Sequence, residues 1–169
     1  MKIVGEKIIL REIRESDLEL LNKLINDPDI NKMTVGSSKK VSMKEQIKWF
    51  KSLKSSADVR FIIANKDDIP LGTCIINQID NNNKSCSIGI KLDKSSQGKG
   101  IGSEAIQLTI PFIFNRLKMH RIFVEILEYN AASIRLFEKN GFKLEGTHID
   151  AIYKNGKFNN LLTLGLVNK

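Results

Sequence analysis

The chain has 169 residues, of which 41% are hydrophobic and 27% are charged, and its formal net charge at pH 7 is +8. This size fits one globular domain over residues 1–169, and a membrane span is not expected because no apolar run reaches 18 residues. Charged residues interrupt the first ten positions, so we expect no signal peptide and a cytoplasmic location.

The positive charge favours an anionic partner. However, the 27 Lys and Arg residues are scattered among 19 Asp and Glu residues, with no arginine-rich run. The few aromatic residues fall at core-like spacing rather than on an exposed stripe. These features argue against nucleic acid, which we keep as an alternative partner.

The first elements predicted are a strand at residues 8–10 and a helix at residues 18–25. Pro28 ends this helix, because proline disfavours helical geometry in the residue before it. A loop over residues 33–40 is expected to follow. Ser42 and Glu45 then form a capping-box pattern, which predicts the start of a second helix.

Between residues 61 and 92 the hydrophobic period changes from helical to alternating. Three strands are predicted, at residues 61–64, 71–76 and 87–92, and the turns between them predict an antiparallel meander. Cys74 and Cys86 fall within these strands but out of register with one another. They are therefore expected to be reduced thiols in the core.

A glycine-rich stretch follows the third strand and leads directly into a helix: Gln97-Gly98-Lys99-Gly100-Ile101-Gly102-Ser103. A helix start presents unpaired amides, and glycines allow a phosphate to approach them closely. The pattern is not a P-loop, since no Ser or Thr directly follows Lys99. It also departs from the dinucleotide fingerprint, because Ser103 stands where the last glycine belongs.

The rest of the chain predicts a crossover and a terminal hairpin. A helix over residues 101–117, with a break at Pro111, leads to a strand at residues 121–127, which must run parallel to the strand at residues 87–92. A helix at residues 130–139 and strands at residues 142–153 and 158–167 follow, with a hairpin turn at Asn155-Gly156. We therefore expect a mixed α/β fold whose central sheet is mostly antiparallel, with one parallel pair and helices on both faces.

Two motifs carry a family resemblance. Gln97, Gly100 and Gly102 match the pyrophosphate loop of the GNAT superfamily, [Gln/Arg]-x-x-Gly-x-[Gly/Ala]. The later run from Asn130 to Phe142 resembles the same family's next helix and its Gly-Phe strand entry. Because the motifs occur in the right order, the chain is identified as similar to acetyl-coenzyme A dependent N-acetyltransferases, in the branch acting on ribosomal proteins, polyamines and amino sugars.

The resemblance implies that acetyl-coenzyme A is the acetyl donor and lies between the two parallel strands, which splay apart. The implied contacts are the backbone of Ile90, Lys91 and Leu92 near the thioester, the stretch from Gln97 to Ser103 (Gly98, Lys99, Gly100, Ile101 and Gly102 included) at the pyrophosphate, and Asn130, Ser133 and Arg135 along the cofactor. For Arg135, a solvated helix face is the alternative. No metal is expected, and the resemblance leaves room for a homodimer.

Acetyl transfer requires a neutral amine, so a base is expected. An amine with a pKa of ~10 must lose a proton, and a positioned base contributes roughly 10²–10⁴-fold. Glu125 lies five residues before Asn130, where some ribosomal-protein acetyltransferases of the family place their base. Strand alternation puts it among the apolar residues Phe123 and Leu127. The alternative is a carboxylate paired with a lysine or arginine.

The expected general acid is missing. Many members of the family have a tyrosine seven residues after the position of Asn130, but here that residue is Phe137. Either another group such as Tyr129 or Ser133 protonates the departing sulfur, or the thiolate leaves without an acid.

Residues 27–54 and 148–158 are expected to form the acceptor side. Polyamine binding needs carboxylates, whereas this chain offers Ser37-Ser38-Lys39-Lys40. Residues 41–50 together with Arg60-Phe61 resemble acetyltransferases of nucleotide-linked amino sugars, whose diphosphate would suit a basic rim. We expect such an acceptor. The N-terminal amine of a protein, a polyamine, and a module that merely binds coenzyme A or nucleic acid are the alternatives.

Overall fold

The structure, a computed structural model, describes residues 1–36 and 39–169, so Ser37 and Ser38 of the predicted basic segment lie outside it. Within the described part the strands are β1 (Lys2–Val4), β2 (Ile8–Arg11), β3 (Val59–Asn65), β4 (Pro70–Asp80), β5 (Ser85–Leu92), β6 (Arg121–Leu127), β7 (Lys143–Lys154) and β8 (Lys157–Val167). The α-helices are α1 (Leu18–Asn26), α2 (Pro28–Lys32), α3 (Met43–Ser52), α4 (Ile101–Pro111) and α5 (Ala131–Lys139).

The described strands form a sheet in the order β1-β2-β3-β4-β5-β6-β8-β7. Strands β1 to β5 pair antiparallel in sequence order, and β6, β8 and β7 also pair antiparallel. Between these two groups, β5 and β6 run parallel because α4 crosses over from one to the other. The predicted mixed and mostly antiparallel sheet is confirmed.

Helices cover both faces of the sheet, as alternation along β2 shows. Leu10 belongs to a core that also contains Ile106 of α4 and Phe137 of α5. The adjacent Ile9 points to the opposite face and packs with Leu21 of α1. In the described part of the chain, no helix is both long enough and apolar enough to cross a membrane.

A buried ion pair fixes the start of α1 against the sheet. Both terminal nitrogens of Arg11 donate to Asp17, at 2.7 Å and 2.9 Å, and the Arg11 side chain also pairs with Asp68. Asp17 in addition accepts from the Arg14 amide at 2.7 Å. Since Arg11 and Asp17 are only 4% and 1% exposed, each charge depends on its partner.

The helix α2 was not predicted. The Asp27 carboxylate accepts from the amides of Asp29 and Ile30, at 2.9 Å and 3.2 Å, so it caps a helix that has Pro28 as its first residue. Proline is favoured there because its missing N–H would be unpaired anyway. The same proline therefore ends α1 and begins α2.

The break predicted at Pro111 is confirmed. α4 ends at this residue, and Phe112–Arg116 forms a single π-helical turn in which the Leu117 amide donates to the carbonyl of Phe112 at 3.1 Å. Proline cannot donate into the helix, and a widened turn is a common way to accommodate such a break.

The cysteine prediction is also confirmed. Cys74 and Cys86 are free and fully buried, and the residue paired with Cys74 across the β4–β5 ladder is Ile90. Burial raises the pKa of both thiols to about 11. Both are therefore apolar packing residues rather than nucleophiles.

Candidate active site

β5 and β6 separate part-way along their length, as predicted. Their parallel pairing begins at Ser85 with Arg121 and ends at Ser87 with Phe123. Beyond that point β5 pairs with β4, and β6 pairs with β8. The two facing edges have no strand partner among the described residues, so they can hydrogen-bond an extended ligand.

The glycine-rich stretch turns the chain from β5 into α4. Gly98 and Gly100 have φ angles of +72° and +81°, which other residues rarely adopt. None of the described side chains caps α4, and its first backbone hydrogen bond runs from the Glu104 amide to the carbonyl of Gly100, at 3.1 Å. The amides of residues 101–103 thus have no acceptor within the helix, and together with the helix dipole they favour an anion.

The stretch is anchored to its surroundings at its beginning. The Gln97 side-chain amide donates to the carbonyl of Leu92 at 3.1 Å. Asp93 accepts from the ammonium group of Lys23 on α1, at 2.7 Å. This lysine and hydrogen bonds from Ser95 lower the pKa of Asp93 to about 2. The position of the loop therefore depends on α1.

The residues of the first turn of α4 pack against the core and against α5. Ile101 packs against the core, and a Cβ at Gly102 would lie 3.4 Å from Leu136 of α5. The Ser103 hydroxyl accepts from the Asn140 side chain at 3.2 Å. At the helix N terminus, these three residues therefore present mainly their backbone amides to a ligand.

Lysines lie beside the same helix start. A cavity of about 420 Å³ is lined by Gly100 and Ser103, by the cations Lys7 and Lys139, and by the carboxylates Glu6 and Glu104, of which Glu104 accepts from the Lys7 amide at 2.9 Å. Lys99 is exposed in the loop itself. Positive side chains and free amides therefore occur together, which favours a phosphate-bearing ligand.

Asn130 links α5 to the loop after α2. Its side-chain oxygen accepts from the Ser133 amide at 3.1 Å, and its side-chain nitrogen donates to the carbonyl of Met33 at 2.9 Å. Asn130 and Ser133 both line the main cleft. Arg135 is exposed and lies outside the lining.

The main cleft has a volume of about 740 Å³. Its walls come from α1, α3 and the segment following α2, and its floor from β3 to β6. Ile90 and Lys91 line it, whereas Leu92 and the glycine-rich stretch lie outside its lining. The structure thus has a broad chamber at the separated strands, and β5 leads from this chamber through the glycine-rich stretch to the start of α4.

Glu125 lies on β6 beyond the point of separation and lines the cleft. It is paired with Thr163 on β8, and counting from the Ser87–Phe123 pair places it level with Gly89, on the same face. The expected apolar enclosure is not found: the Glu125 side chain is exposed, because the strands diverge there. The alternative is not observed either, since it has no ion pair with a described residue.

The groups considered as general acid differ in position. Phe137 lines the cleft but is 1% exposed, and its ring packs edge-to-face on Phe142 with centroids 5.0 Å apart. The Tyr129 hydroxyl donates to the carbonyl of Lys32 and lies outside the cleft lining. Of the two substitutes considered, Ser133 is the one that lines the cleft.

Lys154 is a structural residue that the sequence did not indicate. Its buried ammonium group donates to the carbonyl of Asn31 at 2.7 Å, to that of Thr34, and to that of Gly36 at 2.9 Å. It therefore ties β7 to the segment that walls the cleft. The partners lie more than a hundred positions earlier in the chain, so no local pattern could reveal them.

Two cations lie on the floor of the cleft. Arg60 on β3 and Lys91 on β5 both line it. Burial, and then the nearby charges of Lys154 and Arg60, lower the pKa of Lys91. The chamber is therefore positive at this end. Among the described residues, no cluster of His, Cys, Asp or Glu side chains is suited to hold a metal ion.

Comparison with known proteins agrees with this geometry. The acetyltransferase (GNAT) domain family matches residues 7–143. An uncharacterised N-acetyltransferase of Bacillus licheniformis, p20, is 32% identical over 145 residues, which are 83% of this chain and 82% of that protein.

Two solved structures share the fold. The spermidine N-acetyltransferase of Vibrio cholerae, in complex with coenzyme A and spermine, has a TM-score of 0.90 at 21% identity, with 96% of each chain covered. A ribosomal L7/L12 α-N-protein acetyltransferase in complex with coenzyme A has a TM-score of 0.88 at 25% identity, covering 99% of this chain and 98% of that one. With its divided strands, its uncapped helix start and a family match over most of its length, the chain belongs to the GNAT acetyltransferase family and is an acetyl-coenzyme A dependent N-acetyltransferase.

Proposed function

We propose that the chain transfers the acetyl group of acetyl-coenzyme A to a primary amine by direct attack in a ternary complex. The observation that carries this proposal is that β5, which is separated from β6 beyond Ser87, leads through the glycine-rich stretch to the uncapped start of α4. The extended, amide-bearing pantetheine arm suits unpaired strand edges, and a pyrophosphate suits free helix amides.

In this proposal, successive segments of the chain contact successive parts of the cofactor. The backbone of residues 90–92 pairs with the pantetheine arm, and residues 97–103 hold the pyrophosphate. Asn130 and Ser133 contact the arm at the start of α5. Arg135 meets the cofactor only at its outer end, since its side chain is exposed outside the cleft.

Glu125 is proposed to remove the proton from the acceptor amine, directly or through a water molecule. The neutral nitrogen then attacks the thioester carbonyl and a C–N bond forms. The C–S bond breaks to release coenzyme A as its thiolate, and the proton that the attacking nitrogen loses passes to the thiolate or to solvent. Exposure of Glu125 to the cleft supports this role, because the carboxylate can reach both solvent and a bound amine. Phe137 offers no proton, so the thiolate leaves without a phenol in this position.

The proposed acceptor is a nucleotide-linked amino sugar. The described carboxylates lining the cleft are Glu45 and Glu125, and Glu45 already accepts two hydrogen bonds of 2.7 Å from Ser42. A polycation such as spermine, bound by the Vibrio cholerae protein, therefore has few partners here. Lys39 and Lys40 line the cleft and add to its positive rim. The N-terminal amine of a protein is the second candidate, supported by the shared fold of the L7/L12 enzyme.

Calorimetry of acetyl-coenzyme A binding tests the cofactor site. Gly100→Glu should abolish binding at micromolar concentration, because it puts a carboxylate at the helix start and a side chain on a backbone with φ +81°. Gly146→Glu is the matched control, since a Cβ there meets nothing within 4 Å. Unchanged affinity of the Gly100→Glu variant for acetyl-coenzyme A would refute the proposed cofactor site.

An acceptor panel tests the reaction itself. Release of free coenzyme A thiol is followed with amino sugars, their nucleotide-linked forms, peptides with free N termini, and spermine. Release with the nucleotide-linked sugar supports the proposed acceptor. A preference for peptide or for spermine would replace it.

A further inference from the structure

One row of side chains crosses the cleft floor on the face that carries α1 and α3. Strand register places Arg60 beside Ile75, and Ile75 beside Gly89. Gly89 lies level with Glu125 across the gap between β5 and β6. The row therefore has a guanidinium group at one end and a carboxylate at the other, with Ile75 and Gly89 between them.

The spacing of the row suits a ligand of moderate size. From Arg60 to Glu125 there are three strand steps of about 4.8 Å, or roughly 14 Å between backbones before the strands splay. A ligand that spans this distance needs an anionic group at the Arg60 end and an amine at the Glu125 end.

Arg60 is oriented but incompletely satisfied. One terminal nitrogen donates to Asp58 at 2.8 Å, and the guanidinium lies over the Trp49 ring, 5.4 Å from its centre. Its Nε atom is buried and has no hydrogen-bond partner among the described residues. An enclosed atom presents no surface to a ligand, so the donor available in the cleft is the other terminal nitrogen, which has no hydrogen bond with a described residue.

Lys91 adds a second cation near the first. It lies beside Thr73, two residues further along β5 than Gly89, and therefore on the same face. It has no ion pair with a described residue, although burial and the charges of Lys154 and Arg60 disfavour its charged form. A bound anion would relieve this repulsion. Lys154 itself cannot bind this anion, because its ammonium group already donates to three backbone carbonyls.

We propose that Arg60 and Lys91 bind the anionic group of the acceptor, the diphosphate of a nucleotide-linked amino sugar, while Glu125 receives its amine. This inference rests on the proposed function and adds a two-ended recognition to it. Arg60 supplies the terminal nitrogen that does not bond Asp58 to the phosphate oxygens, and Lys91 supplies a second charge at the same end of the cleft. An amine without an anionic group lacks these contacts.

The test uses a probe that binds without reacting. Uridine diphosphate is titrated into the protein saturated with coenzyme A, so that the pyrophosphate site of the cofactor is already filled. Arg60→Gln should weaken binding by about 10-fold or more, the usual loss for a charge-assisted hydrogen bond, and Lys91→Met should weaken it in the same direction. Arg14→Gln is the matched control, since it removes the same charge from an exposed arginine outside the cleft.

A second readout separates this inference from the proposed function. Thiol release is compared between a nucleotide-linked amino sugar and the corresponding free sugar, and Arg60→Gln should lower the preference for the former by a similar factor. If uridine diphosphate does not bind, or binds equally well to Arg60→Gln, the anion site is refuted. If it binds through Arg60 but no amine releases thiol, the anion site stands and the proposed reaction fails.

Discussion

Phe137→Tyr tests whether the reaction lacks a proton donor. The substitution adds one oxygen to a ring that is 1% exposed and packed edge-to-face on Phe142. A buried hydroxyl without a partner costs about 1–3 kcal/mol. In a protein of this size 1 kcal/mol lowers the melting temperature by roughly 2–4 °C, so we expect a fall of roughly 2–12 °C and no gain in kcat.

Melting temperature and kcat are to be measured on the same preparations. Phe142→Tyr is the matched control, because it adds the same oxygen to the other ring of the pair, and Phe142 does not line the cleft. A Phe137→Tyr enzyme that is faster at unchanged melting temperature would refute the packing argument. It would show that the ring edge reaches the departing sulfur and that a donor there was missing.

Three further predictions concern carboxylates. Glu125→Gln should lower kcat on the order of 10²-fold and remove the acidic limb of the pH–rate profile. Glu128→Gln, which lies outside the cleft, should have neither effect. An unchanged profile in the Glu125 variant would show that Glu125 has no part in proton removal. Asp17→Asn should cost about 3 kcal/mol in urea unfolding, the lower end for a broken buried pair, because Asp68 still neutralises Arg11; a loss below about 1 kcal/mol would contradict this. Asp93 has a lowered folded pKa of about 2, so its stabilisation is present above about pH 4 and is lost as the pH falls towards 2. Asp93→Asn should therefore lower stability at pH 7 by about 1 kcal/mol or less, since the lysine partner is exposed, and the difference from wild type should vanish near pH 2.

The parallel strand pair and the turn geometry of the glycine-rich stretch were predictable from the sequence because their signals are local. The crossover from β5 through α4 to β6 forces a parallel pair, and the glycines at 98 and 100 occupy the positive-φ positions of the turn. Asn155 and Gly156 likewise adopt positive φ, as the hairpin prediction requires. In each case neighbouring residues determine the geometry.

Elsewhere local patterns were ambiguous or silent. Pro28 predicts the end of one helix as well as the start of another, and the cap supplied by Asp27 decides between them. Alternation correctly placed Glu125 on its strand face, but exposure there depends on the distance between diverging strands. The unpaired Nε of Arg60 also could not be predicted from the sequence, because the lack of an acceptor depends on which groups pack around it in three dimensions.

The three carbonyls gathered by Lys154 have a consequence for how the enzyme is assembled during synthesis. The glycine-rich stretch that is proposed to hold the cofactor is complete by residue 103, yet the ammonium group that secures the proposed acceptor wall is translated about fifty residues later and belongs to β7, at the outer edge of the sheet. Contacts of such long sequence separation form late in folding. A nascent chain would thus carry the proposed cofactor loop before the proposed acceptor wall is secured, and binding of acetyl-coenzyme A would in addition require β6 and α5, which also follow the loop in the chain.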